Sequence, residues 1–165
     1  MNPAMKIIVA AIAVFAFSFP VIGQIEKPAD APKTDSKYDA ELAKRLGADD
    51  YGMKPYVFDI LKTGPTKIED ADRGKQLQAG HKKTIGRRAE EGKLVLAVPF
   101  IEGGNMRGIY VFDLKTVEEA KELVKTDPAI KEGLFEVEFV KWYGSAALLN
   151  VNGTHKRIQK NSRED

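Results

Sequence analysis

Four short runs of β-branched and aromatic residues alternate with two helix-like stretches, and their order leaves few folds open. The first run is Lys54–Leu61, ended by Gly64-Pro65. The second and third, Lys93–Phe100 and Arg107–Leu114, flank Ile101-Glu102-Gly103-Gly104-Asn105-Met106, which reads as a hairpin turn. The fourth, Leu134–Tyr143, follows Gly133. Thr66 and Glu69 have the spacing of a capping box for a helix running to about Glu91. Gly74, Gly80 and Gly86 count against that helix, each by about 1 kcal/mol relative to alanine. Thr116 and Glu119 head a second helix, Val117–Thr126. It stops at Asp127-Pro128, because a residue before proline is pushed out of the helical region. The order β-α-β-β-α-β predicts an α+β, ferredoxin-like domain with one antiparallel sheet and both helices on one face.

The second face of that sheet also needs a cover. Leu94-Val95-Leu96-Ala97-Val98 and Ile109-Tyr110-Val111-Phe112 do not alternate with polar residues, as strands with one wet face do. Two helices cover one face only. A second copy of the chain, packed face to face as a symmetric homodimer, is one cover. An amino-terminal helix or the carboxy-terminal tail is another.

The ends of the chain read differently from the middle. Lys6 precedes the 13-residue apolar run Ile7–Phe19, and Pro20 and Gly23 follow. A positive start, a short apolar run and a small residue at its end are the parts of a secretory signal, so residues 1–23 are expected to be a cleaved signal peptide. The run falls short of the roughly 20 residues needed to span a bilayer, and no stable membrane insertion is expected after cleavage. The implied location is secreted or periplasmic. Residues 24–50 read as a polar linker carrying a short helix, Tyr38–Leu46, with Ser36 as its cap and Gly47 closing it. Residues 51–149 form the predicted domain, and 150–165 read as a flexible polar tail containing the formal glycosylation acceptor Asn152-Gly153-Thr154.

Composition removes several function classes. The net charge is +2 from 26 basic and 24 acidic residues, which gives no concentrated basic footprint for nucleic acid. There is no cysteine, so disulfides and thiolate chemistry are excluded. The two histidines, His81 and His155, are too few for a multi-histidine metal site, and no cofactor is expected.

The remaining chemistry centres on His81. Gly74, Leu77, His81, Ile85 and Ala89 recur at helical steps and predict a sheet-facing stripe. Val117, Ala120, Val124 and Asp127 do the same on the second helix. The two helices run antiparallel in this arrangement, so His81 and Asp127 are predicted to meet at the edge of a cavity. A carboxylate beside an imidazole fixes its tautomer and stabilises its charged form, which suits a proton shuttle. The same pair can equally pin two helices together. Arg107 is a candidate for orienting an anionic ligand, and Tyr143 either lines a pocket or belongs to the core. Arg87-Arg88 and Lys82-Lys83 read as a solvated helix face.

From Tyr51 to Leu149, about 60% of the chain, the sequence resembles the YciI-like, or YCII-related, domain in its exported form. The resemblance rests on Tyr56-Val57-Phe58, Leu61-Lys62-Thr63-Gly64-Pro65, Gly80-His81, Glu90-Glu91-Gly92-Lys93-Leu94, Arg107-Gly108-Ile109, Thr126-Asp127-Pro128 and Trp142-Tyr143-Gly144-Ser145. It implies a dimeric α/β barrel and an active His-Asp pair at His81 and Asp127. The implied function is a small-molecule enzyme using that pair for proton transfer, of lyase or isomerase type. The alternative is a non-catalytic module that binds a small ligand or dimerises. Relatives carry Gly-Pro where this chain has Val98-Pro99, and a valine there narrows any pocket beside it.

Overall fold

The computed structural model describes residues 37–161. The signal-like run and the linker up to Ser36 lie outside the described residues. The elements are α1 (Ala40–Leu46), β1 (Met53–Thr63), α2 (Ala71–Glu90), β2 (Leu94–Pro99), β3 (Met106–Phe112), α3 (Val117–Val124), α4 (Pro128–Lys131), β4 (Phe135–Ser145), a 3₁₀ turn (Ala146–Asn150) and α5 (Val151–Ile158). The four strands form one open antiparallel sheet in the order β2-β3-β1-β4. This is a mixed α+β fold, compatible with the ferredoxin-like arrangement, with α1, α4, the 3₁₀ turn and α5 added.

Several boundaries differ from the sequence reading, each for a local reason. Asp39 caps α1, its carboxylate accepting from the Leu42 amide, and Gly47 closes the helix at φ 64°. Residues with no Cβ adopt that left-handed conformation without strain. Thr66 and Glu69 do not head α2. Asp70 does, accepting from the Asp72 and Arg73 amides at 2.8 and 3.1 Å. The Thr116–Glu119 capping box on α3 is present in both directions. Asp127 does not end α3; it caps the separate short helix α4, accepting from the Ala129 amide at 3.0 Å. Pro128 in the first turn suits that role, since its missing N–H would have no partner there.

The two faces of the sheet are covered differently. Val57, Leu61, Tyr110 and Phe112 point toward α2 and α3, where Ala120 and Val124 complete a buried cluster joined by Phe135, Val137 and Phe139 of β4. Tyr56, Val95 and Val111 point the other way and are met by Leu148 and Leu149 from the 3₁₀ turn. The loss of alternation in β2 has a specific cause. The register slips between Leu94 and Leu96, leaving Val95 as the extra residue of a bulge. The tail is therefore not loose throughout. Its helix α5 runs to Ile158, and the Asn152 amide donates to the Leu94 carbonyl at 2.7 Å.

Candidate functional site

A layer of polar side chains is buried between α2 and the sheet. The face of α2 that is buried consists of Leu77, His81, Thr84 and Arg88. Of the predicted stripe, Leu77 and His81 are buried, Ile85 is half-buried and packs against the core, and Gly74 and Ala89 are half-buried. Arg88 overturns the reading of Arg87-Arg88 as a solvated pair. Its side chain is fully buried, because position 88 lies one and two turns beyond Thr84 and His81 on the inward stripe.

His81 Nδ1 lies 2.8 Å from Asp127 Oδ2, across 46 positions of sequence. The helix α2 supplies the imidazole, and the cap of α4 supplies the carboxylate, whose other oxygen holds the Ala129 amide. Contact between the two helices is close at Gly80. A Cβ there would fall 2.6 Å from Pro128 Cγ, so glycine at position 80 lets α4 approach α2. On its far side, His81 Nε2 lies 3.1 Å from the Tyr110 hydroxyl of β3. The Phe135 ring stands 4.9 Å from the imidazole. Asp127 is completely buried, while 11% of the His81 side chain remains exposed.

Arg88 sits behind this pair. Its guanidinium donates to the Leu123 carbonyl at 2.6 Å and to Thr126 Oγ1 at 3.2 Å, neutralising the carboxy-terminal end of α3. It lies 3.9 Å from Asp127 Oδ2. Among the described residues, its Nε and Nη1 atoms, and both carboxylate oxygens of the fully buried Asp59, have no hydrogen-bond partner. Burial, opposed only in part by Arg88, pushes the Asp59 carboxyl up to about 8. Asp59 is therefore neutral at pH 7, and Asp127 is the carboxylate that answers the Arg88 charge. Burial first, and the Asp127 charge second, raise the Tyr110 phenol, which stays protonated.

Asp59, Arg88 and Tyr110 were missed from sequence, although two carried a legible signal. Asp59 has the inward parity of Val57 and Leu61, and Tyr110 that of Phe112.

The other predicted site residues stand elsewhere. Arg107 is exposed at the Lys62 end of β1, where the register slips, and its Nε donates to Thr63 Oγ1 at 2.7 Å. Tyr143 lies opposite Pro55, is 52% exposed rather than core, and donates its hydroxyl to Asp49. Seven strand positions separate the two locations, about 23 Å at the usual rise, so the two do not line one site within a single chain. Val98 pairs with Ile109 on the face away from Tyr110 and His81, so it narrows nothing beside the His-Asp pair of its own chain. A groove outside α2 is lined by Gly80, Thr84, Arg87, Thr126 and Pro128 among others. It adjoins the pair, but neither His81 nor Asp127 lines it. Among the described residues, no cluster of three or more histidine or acidic side chains is placed to hold a metal ion.

Residues 60–143 match the YCII-related domain family, and the chain belongs to it. No curated protein matches the chain. The matched segment contains His81, Arg88, Tyr110 and Asp127, together with the sheet that carries them.

Proposed function

We propose that this is a small-molecule enzyme in which His81 moves a proton and Asp127 orients and charges it. The observation that carries the reading is the 2.8 Å contact between His81 Nδ1 and a carboxylate held wholly out of water. A carboxylate in that position cannot donate, so it fixes hydrogen on Nδ1 and favours the imidazolium formed when Nε2 takes a proton. The Arg88 guanidinium stands 3.9 Å from that carboxylate, and the neutral Asp59 adds no competing charge. The reaction type that fits is removal or return of a proton on a small neutral substrate, as in a lyase or isomerase.

Deuterium incorporation from heavy water into a panel of small carbonyl and hydroxy compounds, read by mass spectrometry, detects such transfer whatever the product is. The unmodified chain is expected to label at least one compound, and His81→Gln to lose the labelling by about 100-fold or more. Labelling that persists in His81→Gln rejects the role. The second reading, a structural or ligand-binding pair without turnover, is favoured by one observation: both ring nitrogens of His81 have partners inside the chain. On that reading His81→Gln costs roughly 1–3 kcal/mol of stability and changes no reaction.

We also propose that two copies pair through the sheet face opposite α2 and α3, the arrangement of a dimeric α/β barrel. Val98, Val140 and Trp142 are 38–43% exposed on that face. They flank the half-buried Phe58, Ile60 and Ile109. Light scattering at micromolar concentration is expected to give twice the chain mass, and a monomer mass rejects the pairing.

A further inference from the structure

The two nitrogens of His81 have unlike neighbours, and the difference assigns a role to a third residue. A carboxylate only accepts, so the 2.8 Å contact with Asp127 Oδ2 places hydrogen on Nδ1. Nε2 is then the nitrogen with the lone pair, and the Tyr110 hydroxyl at 3.1 Å is the donor that meets it. The phenol has little freedom to do otherwise. Tyr110 is 3% exposed, and its ring is packed edge-on against Phe112 at 5.6 Å between centroids. It is anchored in β3 opposite Asp59.

We propose that Tyr110 is a positioning residue of the His81–Asp127 pair, its hydroxyl donating to the Nε2 lone pair and so fixing the plane of the imidazole. Tyr110 and Asp127 act on the ring from opposite sides. The carboxylate specifies which nitrogen carries hydrogen, and the phenol specifies where the other one points. With only one partner, the imidazole is held at one nitrogen. With both, its plane is set by two elements, β3 and α4, that do not touch it in sequence. The consequence for turnover rests on the proton-transfer reading given above; the hydrogen-bond assignment does not.

The test is long-range ¹H–¹⁵N correlation of the His81 ring in the full chain, at neutral pH, for the unmodified protein and for Tyr110→Phe. The unmodified chain is expected to show hydrogen on Nδ1 and an Nε2 resonance displaced from the free imine position by an accepted hydrogen bond. Tyr110→Phe keeps the aromatic ring, so Nδ1 is expected to stay protonated while Nε2 moves to the free imine position. Hydrogen on Nε2 in the unmodified chain overturns the proposal without need of any variant. So does an Nε2 resonance that Tyr110→Phe leaves in place. Where labelling from heavy water is detected, Tyr110→Phe is expected to lower kcat by roughly 10–100-fold with KM little changed, by analogy with the orienting partners of ligating histidines. An unchanged kcat overturns the positioning role. If His81→Gln keeps its activity, the proton-transfer reading fails by itself, and Tyr110 is then judged on the ring resonances alone.

Discussion

Asp59 and Asp127 are both fully buried carboxyls on the same side of the sheet, yet they have opposite fates. Asp127 accepts from an amide and from His81 and stands near Arg88, whereas Asp59 finds no hydrogen-bond partner among the described residues. The carboxyl of Asp59 titrates at about 8 in the folded chain, against its ordinary 3.8. Between those values the folded chain holds a proton that the unfolded chain has released, so this residue makes stability fall as pH rises through that window. From pH 5 to pH 8 the loss reaches up to about 4 kcal/mol, at roughly 1.36 kcal/mol per unit. Asp59→Asn cannot titrate and is expected to flatten that slope. Urea melts at pH 5, 6, 7 and 8 check it, and parallel slopes in the two chains mean that Asp59 is not a neutral buried acid. Asp127 calls for the reverse comparison. Asp127→Asn keeps a good helix cap but loses the charge, while Asp127→Ala loses both and is expected to cost about 1 kcal/mol more. Equal melts for the two variants argue against the cap. His81 and Asp127 were legible because helical spacing and the residue before a proline both leave marks in sequence. Arg88 was not, since an arginine on a charged helix is most simply solvated until the fold shows what lies behind it.

At the scale of elements, strand order was readable and helix ends were not. Apolar runs bounded by glycine and proline located all four strands, but the true caps, Asp39 and Asp70, compete in sequence with Ser36 and Thr66. A capping residue is chosen by which backbone amides are left free. That is decided by packing. The short helix α4 was hidden for the same reason: four residues carry no periodicity. Gly80 is the clearest element-level case. Sequence counts it as a defect in α2, whereas in the fold it is the point where α2 and α4 touch. Alanine there gains about 1 kcal/mol of helix propensity. It also drives a methyl group into the Pro128 ring, an overpacking that costs typically 1–3 kcal/mol. Gly80→Ala is expected to be net destabilising despite the better propensity, and to loosen the His81–Asp127 contact by pushing the cap of α4 away. A urea midpoint at or above that of the unmodified chain shows that the helices separate freely at this point.

For the whole molecule, the second face of the sheet decides how the chain associates. Two non-alternating strands need a cover on both sides, and part of that cover comes from the chain itself. Leu148 and Leu149 shield Tyr56, Val95 and Val111. The shielded area ends there. Farther across the same face, Phe58 and Tyr56 stack against Trp142 at 5.8 Å, and Val140 lies opposite Phe58 with 43% of its surface exposed. Toward the start of β4 the face turns polar, with Glu136 and with Glu138 paired to Lys62 at 2.5 Å. An apolar patch rimmed by charge is what a self-associating surface presents. Val111→Lys is a poor test of the proposed dimer, because Val111 is already buried within one chain and a charge there unfolds it. Tyr110→Lys is worse, since Tyr110 faces the helices. Val140→Lys separates association from folding. Val140 is partly exposed in the single chain, so a lysine can reach water and is expected to cost the monomer little, within about 0.5 kcal/mol. Across a two-fold interface the substitution appears on both subunits, and each lysine must be desolvated against an apolar partner. The expected result is a monomer by light scattering with an unchanged circular dichroism spectrum. A Val140→Lys chain that still sediments at twice its mass places the contact elsewhere on the molecule.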